Sequence, residues 1–204
     1  MASSTSLSAR APAGVLVEVF LPRATFAQNV LLVITGSLFV ALCAQVSVPL
    51  PFSPVPVTGQ TFAVLLLGAV FGARRSAAAL VLYLAEGAAG LPVFAPFGPP
   101  GLARLAGPTG GYLLALPAAA FVLGWLVEAF AGRRAWWRWL VAVLAAEAVI
   151  FAAGVGWLKL ATQTTWAGAL GLGLLPFLPG ELFKAALVAG LLPASWWALE
   201  QRSR

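Results

Sequence analysis

Apolar residues run along most of this chain without the regular polar interruption that gives a soluble helix its wet face. Pro/Gly clusters and arginines cut the runs into six stretches, roughly 28–48, 58–73, 76–90, 107–131, 138–160 and 180–199. A helix needs about 20 apolar residues to cross a bilayer. The pattern therefore predicts an all-α integral membrane protein with six transmembrane helices. The second and third stretches are short and meet at Ala73-Arg74-Arg75, which predicts a tight helical hairpin. VPLPFSPVPVT (48–58), LPVFAPFGPPGLARLA (91–106) and ATQTTWAGALGLGLLPFLPG (161–180) hold too many prolines for long helices. They predict ordered irregular loops that pack on protein or line a cavity. No internal repeat stands out, so the pattern gives no support to an inverted-repeat transporter.

Composition strengthens the membrane reading. The chain is 61% hydrophobic and 9% charged, against about 45–50% and about 25% in a soluble domain. It cannot bury that much apolar surface in itself, so membrane lipid is its solvent. One membrane domain is expected over 28–200. It lies between an N-terminal tail (1–27), partly disordered with a short interfacial helix, and a C-terminal tail (201–204). No signal-peptide cleavage site follows the first apolar stretch.

The sequence has no His, and its single Cys, Cys43, sits in an apolar run. Imidazole proton relays, disulfide frameworks and Cys/His metal sites are excluded, and neither a metal nor a cofactor is expected. The net charge of +6 reflects loop orientation rather than a nucleic-acid partner. With the N-terminus in the cytoplasm, Arg10, Arg23, Arg74, Arg75, Arg133, Arg134, Arg138, Arg202 and Arg204 all lie inside, and only Arg104 lies in an outer loop. Both termini are then cytoplasmic. The three Pro/Gly-rich loops, Glu86, the motif GPTGGY (107–112) and the start of the last helix gather on the outer side, which suggests a pocket open outward.

Within LPGELFKAALVAGLL, Glu181 and Lys184 stand three residues apart on one helix face. They neutralise each other as a structural pair, with the lysine snorkelling to the interface, or they form the polar floor of a site. In the second case Lys184 donates to a ligand carboxylate or carbonyl, and Glu181 accepts N–H groups. In GPTGGY, Gly110 permits close backbone approach, Thr109 caps the helix or meets ligand, and Tyr112 adds an amphipathic ring. Thr58, Gln60 and Thr61 either cap the second helix or offer hydrogen bonds above the pocket, with Phe52 and the neighbouring prolines as a stiff lid. Glu86 is too costly to face lipid and must meet protein, water or ligand. Ser37-xxx-Ala41 and Gly68-xxx-Gly72 permit close helix contacts. No P-loop, GxSxG or HExxH motif occurs. The chain is not expected to be an enzyme, no catalytic residue is assigned, and uphill transport would draw its energy from a partner.

Four stretches in order, VPLPFSPVPVTGQTFAVLLLGAVFGARR, YLAEGAAGLPVFAPF, GPTGGYLLALP and PFLPGELFKA, resemble the BioY family, the biotin-specific substrate-binding components of energy-coupling factor transporters. The resemblance runs from about residue 30 to 192. It implies a six-helix S-component fold in the cytoplasmic membrane of a prokaryote. It also implies capture of biotin from outside, and delivery through an energy-coupling module of a membrane scaffold and two ATPases; self-association is an alternative to the module. PGELFK carries over Glu181 and Lys184, where the acidic position is usually Asp. GPTGGY carries over Thr109 and Tyr112. Gln60, Glu86 and Phe94 match more loosely, and Ser37 and Ala41 correspond to positions that dock on the scaffold. Biotin presents a ureido ring, an apolar thioether ring and a carboxylate-tipped chain. Glu181, Lys184, Thr109 and Tyr112, with Thr61 and walls from Phe52, Phe94 or Phe177, would meet these needs. The other readings are an S component for another small vitamin, a membrane enzyme using Glu86, Glu147 or Glu181 as acid or base, and a scaffold without ligand.

Overall fold

A computed structural model describes residues 15–130 and 136–202. The chain opens with α1 (Leu16–Phe20) and α2 (Phe26–Gln45), followed by strands β1 (Ser47–Leu50) and β2 (Ser53–Thr58). Next come α3 (Gln60–Phe71), α4 (Ala73–Ala88), the short α5 (Leu102–Ala106), α6 (Gly110–Ala129) and α7 (Trp136–Thr162). The chain closes with α8 (Trp166–Gly173) and α9 (Leu178–Arg202). Helices α2, α6 and α7 are long and apolar enough to cross a membrane, and α8 with Leu178–Gly190 forms a further candidate span, bent by 53°. Helix α3 is apolar but has 12 residues, about 18 Å of rise. Among the described residues, length and apolarity thus mark three crossings, or four with the bent pair, of the six expected.

The all-α expectation needs a correction at 48–58. That stretch forms an antiparallel hairpin that pairs Ser47 with Thr58, Val48 with Val57, and Leu50 with Ser53. Proline is excluded from central strands because it cannot donate to the ladder, but a two-stranded ribbon is all edge. Val48, Val55 and Val57 supply the β-branched residues between the prolines. Residues 15–20 also differ from an interfacial tail, since Val15, Leu16 and Val17 are buried in the core and α1 packs on α3. Residues 1–14, which include the opening MASSTSLSAR expected to be disordered, lie outside the described residues, as do Arg133 and Arg134.

Local chemistry fixes the helix ends. A reciprocal cap starts α2: Gln28 N–H donates to Thr25 Oγ1 at 3.3 Å, and Thr25 N–H donates to Gln28 Oε1 at 2.8 Å. The hairpin of α3 and α4 turns at Gly72, with φ +81°, so Arg74 and Arg75 lie in the first turn of α4 rather than in a loop. Glu128, from α6, accepts from Ala73 N–H at 2.8 Å and satisfies an N–H that a helix start leaves unpaired. Arg75 reaches back to Asn29 at 2.7 Å and to Glu18 at 3.9 Å.

Helix α6 is central and touches α3, α4, α5 and α7. Small residues let it approach closely. A Cβ on Gly124 would stand 2.3 Å from Ala73 N, and one on Gly154 of α7 would stand 2.2 Å from the Tyr112 ring. The apolar interior divides in two. A large core runs through the bundle, and a small cluster of Val55, Leu158 and Phe177 lies beneath the hairpin. Tyr112 packs against both.

Replacing Gly72 with Ala forces a side chain into the left-handed region, with its Cβ 2.3 Å from Glu128 Oε1. The variant should lose about 1–3 kcal/mol in thermal unfolding in detergent. Gly190→Ala, on an exposed helix position with no atom within 4 Å of the new Cβ, should leave stability unchanged or slightly raised.

Candidate functional site

Three acceptors surround the ammonium of Lys184. Its Nζ donates to Glu181 Oε1 at 2.7 Å, to Thr61 Oγ1 at 2.8 Å and to the Thr58 carbonyl at 2.7 Å. Lysine has three N–H donors, so all are used. Thr61 in turn donates its hydroxyl to Glu181 Oε2 at 2.7 Å. The two oxygens of Glu181 are held by different partners, and each keeps lone-pair capacity for another donor. Glu181 is 7% exposed, a burial tolerable for a carboxylate that is paired and hydrogen-bonded. The i, i+3 spacing thus gives a real ion pair, and Thr58 and Thr61 tie it to the start of α3.

Glu181 lines an open cavity of about 640 Å³. Of the residues expected in a site, Gln60, Thr61, Phe94, Thr109, Tyr112 and Phe177 also line it. Thr109 precedes α6 without capping it through its side chain, which leaves the hydroxyl available. Tyr112 donates to the Gly173 carbonyl at 2.8 Å and meets Phe151 edge to face, at 6.2 Å between centroids. Gln60 donates to the Tyr83 hydroxyl at 2.6 Å, and Tyr83 donates to the Val93 carbonyl at 3.1 Å. Phe94 stacks edge-on against Tyr83 at 5.4 Å.

Other expected residues lie elsewhere. Lys184 does not line the cavity and stands behind Glu181, where it orients the carboxylate. Phe52 sits in the hairpin turn, 58% exposed, and is no wall. Gly110 is required by packing, because a Cβ there would fall 1.8 Å from the Leu105 carbonyl oxygen. Glu86 accepts from the Ser37 hydroxyl between α4 and α2 and is absent from the lining. Ser37 and Ala41 are 0% and 9% exposed. Both face the bundle.

Sequence reasoning passed over Arg104 as a site residue. Its side chain is 5% exposed, lines the cavity, and donates to the carbonyls of Ala95 and Phe97. Burial lowers the pKa of its guanidinium, and nearby Tyr83 partly offsets this. The available signal was that, in the expected topology, Arg104 is the sole arginine assigned to an outer loop. Apolar walls from Val55, Leu113, Leu116, Ile150 and Phe151 complete a space with an anchored carboxylate and a buried guanidinium on its lining. Glu147, 7% exposed in α7, has two carboxyl oxygens without a hydrogen-bond partner among the described residues. It does not line the cavity.

A helical bundle enclosing such a cavity is the architecture of a membrane-embedded binding protein. The fold is similar to a crystal structure of the S-component for biotin from an ECF-type ABC transporter. The TM-score is 0.74 at 25% identity, over 84% of this chain and 93% of that one. The family model for BioY matches residues 12–201, and the chain belongs to the BioY family. It is 38% identical over 153 residues to a probable biotin transporter BioY of Pyrococcus horikoshii, covering 74% of this chain and 86% of that protein. It is 36% identical over 157 residues to biotin transporter BioY2 of Lactococcus lactis, covering 77% and 84%.

Removing one member of the buried pair leaves the other without its countercharge. Lys184→Met should therefore destabilise the protein by about 3–5 kcal/mol in thermal unfolding. The double variant Glu181→Leu/Lys184→Met should be less destabilised than the sum of the two single variants. Additive losses would show that the pair is not coupled.

Proposed function

We propose that this protein captures biotin at the outer face of a prokaryotic cytoplasmic membrane, as the substrate-binding component of an ATP-driven energy-coupling factor transporter. The observation that carries the reading is a largely apolar cavity with an anchored carboxylate, Glu181, and a buried guanidinium, Arg104, on its lining. It stands in a chain similar over most of its length to biotin transporters. The ureido ring of biotin has two N–H donors, and Glu181 offers oriented acceptor oxygens to them. The thioether ring fits aromatic and aliphatic walls from Phe94, Tyr112, Phe177 and Ile150. The carboxylate at the other end of the ligand pairs with Arg104, supplying the anion that a buried guanidinium lacks when only carbonyls surround it. Thr109 and Gln60 supply further polar contacts. Lys184 acts through Glu181, fixing its orientation and charge.

In this reading α2, α3, α4, α6, α7 and α9 are the six crossings, with α3 and α4 a short pair. Both termini face the cytoplasm and the hairpin lies outside. The chain carries no ATP-binding motif of its own. Transport then requires a coupling module of scaffold and two ATPases.

Calorimetry on the purified protein in detergent should show about one biotin per chain. Glu181→Gln and Arg104→Gln should each weaken binding about 10- to 100-fold, the range for loss of a hydrogen bond to a charged group. A folded sample that takes up no biotin, or that releases it to a different vitamin at equal concentration, sinks the proposal.

A further inference from the structure

A second cavity of about 650 Å³ adjoins the first. Arg104, Thr109 and Pro56 belong to the linings of both, whereas Glu181 belongs only to the first. The second space lies between the β-hairpin, through Pro49 and Pro54, and the loop around Phe97 and Pro99. Pro54, Phe97 and Pro99 are exposed, so this space is a vestibule and not part of the closed interior. Its walls are rich in proline, which has no N–H to donate. It therefore holds apolar or weakly polar chain without demanding an anion. Arg104 guards the junction. Guanidinium has five N–H donors, and the carbonyls of Ala95 and Phe97 take two of them. The remainder can serve a carboxylate oxygen or an amide carbonyl equally well in geometry.

We propose that the vestibule accepts the tail of biotin amides, molecules in which the carboxyl group of biotin is joined to an amine such as the side chain of lysine. The inference rests on the biotin reading above, with the ureido ring at Glu181 and the carboxyl end at Arg104. A ligand oriented that way places its carboxyl carbon at the boundary that the two spaces share. An extension there meets open space lined by the hairpin and the loop, and the ring contacts stay as they are. The protein is then a receptor for biotin and for its conjugates, with Arg104 reading the carbonyl that both share.

Competition titration on the purified full-length protein separates the two ideas, with biotin, unsubstituted biotinamide and biotinyl-lysine as probes. Biotinamide carries the same loss of charge as the conjugate and so controls for it. Biotinyl-lysine should bind within about ten-fold of biotinamide. Pro54→Trp and Pro99→Trp, on opposite walls and outside the biotin cavity, should weaken biotinyl-lysine by about ten-fold or more. The same variants should leave biotin and biotinamide unchanged. A wild-type protein that binds biotin but excludes biotinyl-lysine by about 1,000-fold relative to biotinamide overturns the vestibule and leaves the biotin reading standing. So does conjugate binding that neither tryptophan disturbs. Failure to bind biotin at all overturns both.

Discussion

The ammonium of Lys184 has no unused donor. It is held by a carboxylate from its own helix, a threonine hydroxyl from α3 and a carbonyl at the end of the hairpin. In an apolar surround each of those donors would be costly to leave unmade. Three separate elements must therefore come together at one point for the lysine to be there at all. That requirement places the start of α9 beside the start of α3 and brings β2 over both. The cavity is what remains between these elements and α6. Its apolar walls could be varied in detail, but its polar end is fixed by the donor count of one side chain.

The same constraint explains how much of the molecule could be read from its residues. Charges three apart in an apolar helix signal each other, so Glu181 and Lys184 were legible as a pair, whereas their bonds to Thr58 and Thr61 were not. Hydropathy gave the helical membrane character for the same reason, since lipid leaves few options for unpaired backbone. Residues whose role depends on which neighbour they meet were not legible. Glu86 has the same isolated look as Glu181, but it meets Ser37 across a helix pair rather than the cavity. Ser37 and Ala41 form a small-residue pattern that serves internal packing as well as docking, and spacing does not distinguish the two. The hairpin was hidden because its prolines argue against any ladder, a rule that fails where both strands are edges. Phe52 followed from that error, since a lid residue became a turn residue once the strands paired.

Arg104 is the instructive omission. Motif matching finds residues embedded in recognisable strings, and Arg104 lies in a proline- and glycine-rich stretch without one. In the expected topology it is the one arginine in an outer loop, and that marked it instead. A guanidinium buried among carbonyls has a reason to be there. The cavity supplies that reason in geometry.

The division of the apolar interior into two clusters bears on how its parts are coupled. A bundle with one continuous core tends to loosen as a whole. Here the hairpin and α8 rest on a small core of their own, linked by the Ser53 hydroxyl donating to the Leu172 carbonyl at 2.7 Å. That unit is tied to the bundle by the Thr58 carbonyl, which accepts from Lys184. Tyr112 packs on both clusters and holds the Gly173 carbonyl, which makes it the one side chain shared between the two clusters among the described residues. A side chain that belongs to two cores couples them, so a change in the packing of one, such as loss of the Tyr112 ring, is felt in the other.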